Sequence, residues 1–264
     1  MSDEEITQRL ELARTIALEA GDVTLKYFQR GNFQVERKAD DSPVTIADRQ
    51  AEEHLRGRIS AAFPADGIVG EEFDAREGTS DYRWILDPID GTKSFVSGVP
   101  LYGTLIGVEH GGRAVIGVIH MPGLDETIYA ASGRGAWHVV SDEPPVQARV
   151  SDTNRLSAGL FCLSEFESFA DCNRHAALAR LQQAAWLTRT WGDCYGYLLV
   201  ATGRAALMVD PVMHVWDAAA LQPVLEEAGG TFTDWSGTPT IHGGEGVGTN
   251  GHVLAEVLET IRGR

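Results

Sequence analysis

Cysteine is scarce in this chain. Only three occur in 264 residues, Cys162, Cys172 and Cys194, and none forms a Cys-x-x-Cys pair. An odd, scattered set offers no disulfide framework and no thiolate zinc site, and it suits a reducing cytoplasm. Long apolar runs are missing as well. No segment approaches the ~18 apolar residues that span a bilayer, which argues against a membrane partner. The acidic start Met1-Ser-Asp-Glu-Glu5 lacks the basic and apolar regions of a signal peptide. Basic residues are outnumbered: 22 Lys and Arg stand against 38 Asp and Glu, for a formal net charge of −16. Such a chain is repelled by phosphate backbones, so nucleic acid is a poor partner. The same charge suits a protein that gathers metal ions or amines, and it also simply favours solubility. There is no low-complexity tract and no internal repeat. No Cys-x5-Arg loop or Ser-His-Asp set points to a covalent hydrolytic route.

What the chain does have is an ordinary globular composition, with 43% hydrophobic and 23% charged residues. Its length suits one large domain or two fused halves. Ile6, Leu10, Ala13, Ala17, Ala20 and Tyr27 recur at helical spacing, which predicts a helix over about 4–29. A turn is expected at Asp40-Asp-Ser-Pro43. A second helix follows on Ala51, Leu55, Ile59 and Ala62. Ile68-Val-Gly70 and Trp84-Ile-Leu86 read as short strands. Leu101–Val108 and Ala114–Ile119 flank Gly111-Gly112, a hairpin signal, with further strands near Ile128 and Trp137. A seam between halves falls near residue 150. Beyond it strands at Leu160–Leu163 and Ala205–Val209 alternate with helices at 173–184, 193–202, 217–228 and 250–261. Pro223 is expected to kink the helix that holds it. This alternation favours a layered α/β sandwich.

Four acidic features carry the chemistry. Asp87-Pro-Ile-Asp-Gly-Thr92 ends a buried strand. It sets two carboxylates, Asp87 and Asp90, around the Ile89 carbonyl. Oxygen-only donors select hard cations, chiefly Mg²⁺. A helix beginning near Gly91 would present free N–H groups to a phosphate. Such a hexapeptide is also a common Asp-capped turn. Glu71, beside Glu72 at a strand end, is either a solvated loop acid or a bound one. Asp217, after Trp216, opens an apolar helix and reads equally as its N-cap. Asp48 heads the second helix, where the dipole favours a carboxylate anyway. His214 receives no ligand role.

Taken in order, Asp48, Glu71, Asp87-Pro-Ile-Asp90-Gly-Thr92, Trp216-Asp217 and Glu227-Ala-Gly-Gly230 resemble the inositol monophosphatase family of lithium-sensitive, Mg²⁺-dependent phosphatases. The resemblance runs from the first helix to Asn250-Gly251. It implies a five-layer αβαβα sandwich in one domain spanning 1–264. The antiparallel sheet and metal site would fall in about 1–150, and further α/β layers in about 151–264. It also implies a homodimer and two or three Mg²⁺ ions. By that resemblance Glu71, Asp87 and the Ile89 carbonyl hold one ion; Asp87, Asp90 and Asp217 hold a second; and Glu71 helps hold a third. The Gly91 and Thr92 amides bind phosphate, while Asp48 and the Thr92 hydroxyl orient the attacking water.

Lys93, Gly98-Val-Pro100, Arg189-Thr-Trp-Gly-Asp-Cys-Tyr195 and His242-Gly-Gly244 are similar to one branch, whose members dephosphorylate histidinol phosphate in histidine biosynthesis. Family position puts Asp193 and Asp210 near the leaving group, where an ammonium and an imidazole would meet carboxylates. Members of the inositol type often carry Glu at the position of Asp210. Asp193 is also read as a helix N-cap. Arg189 would touch substrate phosphate, from the partner subunit, or pair with Asp193. The expected activity is therefore Mg²⁺-dependent hydrolysis of histidinol phosphate by activated water. Inositol-1-phosphate or sugar phosphates are the alternative substrates. A metal- or anion-binding regulator without catalysis is the alternative of another class, against which the intact acids and Thr92 argue.

Overall fold

The computed structural model describes residues 2–30, 35–37 and 43–263. In chain order these form α1 (Asp3–Leu25), the strand pair β1 (Val35–Arg37) and β2 (Pro43–Thr45), and α2 (Ile46–Ala62). Next come β3 (Gly67–Gly70), β4 (Tyr82–Asp90), α3 (Thr92–Val96), β5 (Gly103–His110), β6 (Arg113–Met121), β7 (Glu126–Ala131), β8 (Ala136–Val140) and β9 (Val146–Gln147). The second half holds β10 (Leu160–Cys162), α4 (Phe166–Asp171), α5 (His175–Ala184), β11 (Leu187–Arg189), α6 (Cys194–Ala201) and β12 (Leu207–Asp210). It closes with α7 (Val215–Ala218), α8 (Leu221–Glu227), β13 (Thr231–Thr233), β14 (Gly246–Thr249) and α9 (Leu254–Arg262).

Strands β3 to β9 pair in sequence order into a seven-stranded sheet, antiparallel except at β3–β4. A five-stranded sheet has the order β11-β10-β12-β14-β13. Side-chain alternation along the strands stacks the layers. Trp84, Leu86 and Ile106 pack on Ala13, Ala17, Leu55 and Ile59 of α1 and α2. Their neighbours Ile85 and Leu105 point the other way, to Leu198 of α6 and Val224 of α8. In the second sheet Met208 joins that middle layer, whereas Leu207 and Val209 pack on Leu178 and Leu181 of α5 and Val257 of α9. The order is helices, sheet, helices, sheet, helices: the αβαβα sandwich. Helix α6 is apolar on nearly every side because sheets lie on both of its faces.

The Gly111-Gly112 hairpin forms, with both glycines at positive φ (59° and 83°), as a two-residue turn between twisted strands requires. Other boundaries differ from the sequence expectation. The first helix stops at Leu25, and residues 40–42 of the expected turn lie outside the described residues. The helix expected over 173–184 forms as α5 from His175, and a short helix the sequence reading did not expect, α4, precedes it, parted from it at Asn173, which sits at φ 55°. The helix expected over 217–228 is two, α7 and α8, and Pro223 makes no kink. Pro223 falls in the first turn of α8, where a missing N–H costs nothing. The last helix begins at Leu254, because the Asn250 side chain takes the N–H groups of His252 and Val253 into a turn. Strands β11, β13 and β14 are short and glycine- or threonine-bearing, and their sequence shows no strand period. No described helix is long and apolar enough to cross a membrane.

Candidate active site

The site begins with a fault in the first sheet. Asp87 pairs with Leu105 and Asp90 pairs with Gly103, so β4 carries one residue more than β5 between these points. In a regular strand, residues three apart face opposite sides. The extra residue turns Asp90 to the side of Asp87. The bulge is held by Thr104, whose hydroxyl donates to the Pro88 carbonyl at 2.9 Å, and by the Ile89 N–H, which donates to Asp87 at 3.0 Å. Gly91 follows at φ 86° and Thr92 starts α3. The Thr92 hydroxyl donates to the Ile89 carbonyl at 3.1 Å, which leaves that oxygen a second lone pair.

The second wall comes from the middle helix layer. Asp217 joins Asp87 and Asp90 in a group that brings one carboxylate oxygen from each to within 4.8 Å of the others. It is not the cap of its helix: it is the third residue of α7, and its carboxylate accepts the His214 N–H at 2.6 Å. Asp48 likewise sits in the first turn of α2, accepting the Thr45 N–H at 2.8 Å and its hydroxyl at 2.6 Å. Glu71, just past β3, lies against Asp87 and within the field of Asp48 and Asp217.

Crowding these acids in a buried place is expensive. Burial first, then Glu71, Asp90 and Asp217, hold the Asp87 carboxyl well above the usual carboxylate range. Burial, with Asp193 and Asp217, does the same to Asp90. Asp217 is pushed up to about 6, mainly by burial. Asp48 is also raised to about 6, chiefly by burial, against the opposing bonds from Thr45. A hard divalent cation relieves such crowding, and an all-oxygen donor set of carboxylates and a carbonyl fits that class of ion. Asp87, Asp90 and Asp217, with Glu71 beside them, are the residues that can hold it.

A cleft of about 340 Å³ opens beside this cluster. That is small-molecule size. Gly91, Thr92 and Lys93 line one side of it, and Ser164, Glu165, Asp193 and Asp210 line another. Asp193 precedes α6 but does not cap it with its side chain. Its backbone is held at φ 51°, ψ −150°, a sparsely populated conformation, with its N–H on the Ser164 hydroxyl at 2.9 Å. The carboxylate overhangs Gly91, where a Cβ would lie 2.9 Å from Asp193 Oδ2. Gly91 is thus required both by its positive φ and by this close approach. Asp210, at the end of β12, accepts the Tyr197 hydroxyl at 3.0 Å. Burial raises Asp193 to about 7, helped by Asp210 and Glu165, and raises Asp210 to about 6.

Arg189 stands apart. It ends β11, is exposed, and lays its guanidinium 5.9 Å from the Trp191 ring while bonding the Thr188 carbonyl. It pairs with no cleft acid among the described residues. Several contributors escaped the sequence reading: Ser164 and Tyr197, which tether Asp193 and Asp210, and Glu52, which holds the loop after Glu71. Glu52 had a signal, since it is an acid on the same helical face as Ala51 and Leu55.

Comparison with known proteins agrees with this geometry. Residues 5–262 match the model of the inositol monophosphatase family. A protein of Chlorobaculum parvum named histidinol-phosphatase is 47% identical, covering 92% of each chain. One of Streptomyces coelicolor with the same name is 37% identical over 94% of this chain and 95% of its own. The crystal structure of the extragenic suppressor protein suhB from Bartonella henselae superposes with a TM-score of 0.88 at 27% identity, covering 97% of this chain and 98% of that one. With a family model spanning nearly the whole chain and relatives this close, the chain belongs to the inositol monophosphatase family.

Proposed function

We propose that this protein is a Mg²⁺-dependent phosphomonoesterase that hydrolyses histidinol phosphate to histidinol and phosphate. The observation that carries the reading is the lining of the cleft. Asp90 and Asp217 of the metal-competent cluster share it with Gly91-Thr92 and with a further pair of carboxylates, Asp193 and Asp210. An anionic phosphate needs cations around it, and a cationic leaving group needs anions. A neutral polyol such as inositol gives no use to the second pair, so the inositol reading has less support. The name borne by the 47% and 37% identical relatives points the same way.

Bound Mg²⁺, two or three ions in this reading, would neutralise the phosphoryl oxygens and make a bound water acidic enough to attack. Glu71, Asp87, Asp90, Asp217 and the Ile89 carbonyl would hold the ions. The Gly91 and Thr92 amides would point at the phosphate. Asp48 and the Thr92 hydroxyl would orient the water for in-line attack, with Glu71 close enough to Asp48 to share that task. Asp193 and Asp210 would receive the ammonium and imidazole of the alcohol. Arg189 lies outside the cleft of its own chain, so it would contribute only in a homodimer, as a residue offered to the neighbouring subunit. A cytoplasmic location fits the proposed biosynthetic role.

The deciding experiment is phosphate release from histidinol phosphate, inositol-1-phosphate and glycerol 2-phosphate, with and without Mg²⁺. Preference for histidinol phosphate that vanishes on chelation supports the reading. Preference for inositol-1-phosphate replaces it with the alternative substrate, and no release from any ester leaves a binding protein.

A further inference from the structure

The described residues lining the cleft include five acids, Asp90, Glu165, Asp193, Asp210 and Asp217, and a single Lys or Arg, Lys93. Asp90 and Asp217 belong to the aspartate cluster. The other three acids stand around Ser164. Lys93 projects from the first turn of α3, next to Thr92, and Glu165 follows Ser164 in the loop after β10. Their side chains meet across the cleft at 2.5 Å. This contact joins the half that bears the cluster to the half that bears Asp193 and Asp210. Asp193 lies in the field of both partners, and they act on it in opposite directions.

The pair does little for stability. Lys93 is 68% and Glu165 37% exposed, and an ion pair so open to water is weak and exchanges readily. Glu165 also holds the N-cap position of α4, yet its carboxylate makes no capping bond. It is turned into the cleft instead.

We propose that Glu165 is a specificity-determining residue that joins Asp193 and Asp210 in receiving the cationic end of the leaving group, and that Lys93 is a built-in cation competing for the Glu165 carboxylate. The inference rests on the histidinol phosphate reading and deepens it. A substrate ammonium replaces the Lys93 ammonium on Glu165, one cation for another, so the carboxylate stays paired while the largely exposed Lys93 side chain turns to water. An ester with a neutral alcohol has nothing to offer Glu165 and leaves the Lys93 pair in place. The cleft thereby favours cationic esters through a carboxylate that accepts them, and Lys93, by competing for that carboxylate, tempers how tightly they bind.

The test compares KM and kcat for histidinol phosphate and for glycerol 2-phosphate at saturating Mg²⁺. It uses the wild-type protein, Glu165→Gln and Lys93→Met. For histidinol phosphate, Glu165→Gln should raise KM roughly tenfold, the loss of one charge-assisted hydrogen bond. Lys93→Met should lower it by about two- to fivefold, the loss of a weak competitor. Both variants should stay within about twofold of wild type on glycerol 2-phosphate. The opposite signs are what a structural brace cannot give, because breaking a brace from either end does the same damage. Shifts in one direction for the two variants, or equal losses on the two esters, overturn the proposal. A wild-type protein that prefers glycerol 2-phosphate overturns instead the cationic-substrate reading beneath it, before any variant is made.

Discussion

The buried carboxylate of Glu52 accepts the backbone N–H of Glu72 at 2.7 Å, across a point where a Cβ on Gly70 would lie 2.0 Å from Glu52 Oε1. The second helix thus reaches under the end of β3 and fixes the loop that presents Glu71. Arg56 completes the arrangement by donating to Glu52 at 2.7 Å. Glu52→Ala should destabilise the protein by about 1–3 kcal/mol, because buried donors lose their acceptor. It should also raise the Mg²⁺ concentration needed for half-maximal activity. Denaturant melts and Mg²⁺ titrations separate the two effects. An unchanged Mg²⁺ requirement would make Glu52 a residue of the fold alone.

Asp90 is set by the β4 bulge and by the Cys194 N–H, which donates to it at 2.5 Å. Asp90→Asn should keep the fold and remove most activity, since a neutral amide is a poor ligand for a hard divalent cation. Near-normal turnover at saturating Mg²⁺ would refute its role as a ligand.

Thr92 should act on the nucleophile more than on binding. Thr92→Ala is expected to lower kcat far more than it raises KM, because its backbone N–H remains while its hydroxyl is lost. A change confined to KM would reduce Thr92 to a binding residue.

Asp193→Asn should weaken histidinol phosphate selectively. Loss of a charge-assisted hydrogen bond costs about 1.5–3 kcal/mol, roughly tenfold to over a hundredfold in kcat/KM. Glycerol 2-phosphate should change little. The ratio between the two esters cancels any shared cost of perturbing the strained backbone at Asp193. Equal losses on both would mark Asp193 as structural.

His120 supplies a pH dependence away from the cleft. It is buried between β6 and α1, with Nδ1 on the Thr127 hydroxyl at 2.8 Å. Burial lowers its pKa to about 4. The unfolded chain therefore takes up a proton near pH 6.5 that the folded one refuses until about pH 4. Stability due to His120 is complete above the unfolded value and is lost as pH falls through that window, on the order of 3 kcal/mol in all. His120→Gln keeps a hydrogen-bonding side chain without the titration, so its stability should fall less between pH 7 and pH 5. Parallel stability curves for the two proteins would count against this.

The sequence determined a good deal by itself. Apolar residues at helical spacing fixed α1 and α2, and two adjacent glycines fixed the β5–β6 turn, because these signals act within one turn of helix or across one tight bend. The motif Asp87-Pro-Ile-Asp-Gly-Thr92 named the place where metal and phosphate chemistry would meet. Asp48, Glu71 and Asp217 were legible as candidates, but each equally well as a cap or a solvated acid.

The tertiary structure brings these acids around Asp87, while Asp48 and Asp217 also keep capping bonds to the Thr45 and His214 N–H groups. A one-residue bulge turns Asp87 and Asp90 to one side, and such a bulge depends on the pairing of β4 with β5, which no spacing within β4 reveals. Asp217 reaches them because the middle helix layer packs against the face of the first sheet that carries Ile85 and Leu105. Packing also breaks the expected 217–228 helix between α7 and α8. It places Arg189 outside the cleft and brings Lys93 against Glu165 from the other half of the chain. Local patterns report what a residue prefers among its neighbours in sequence. Which carboxylates share one cation, or one substrate, depends on which surfaces are buried against each other, and that is settled only when both sheets close on the helices between them.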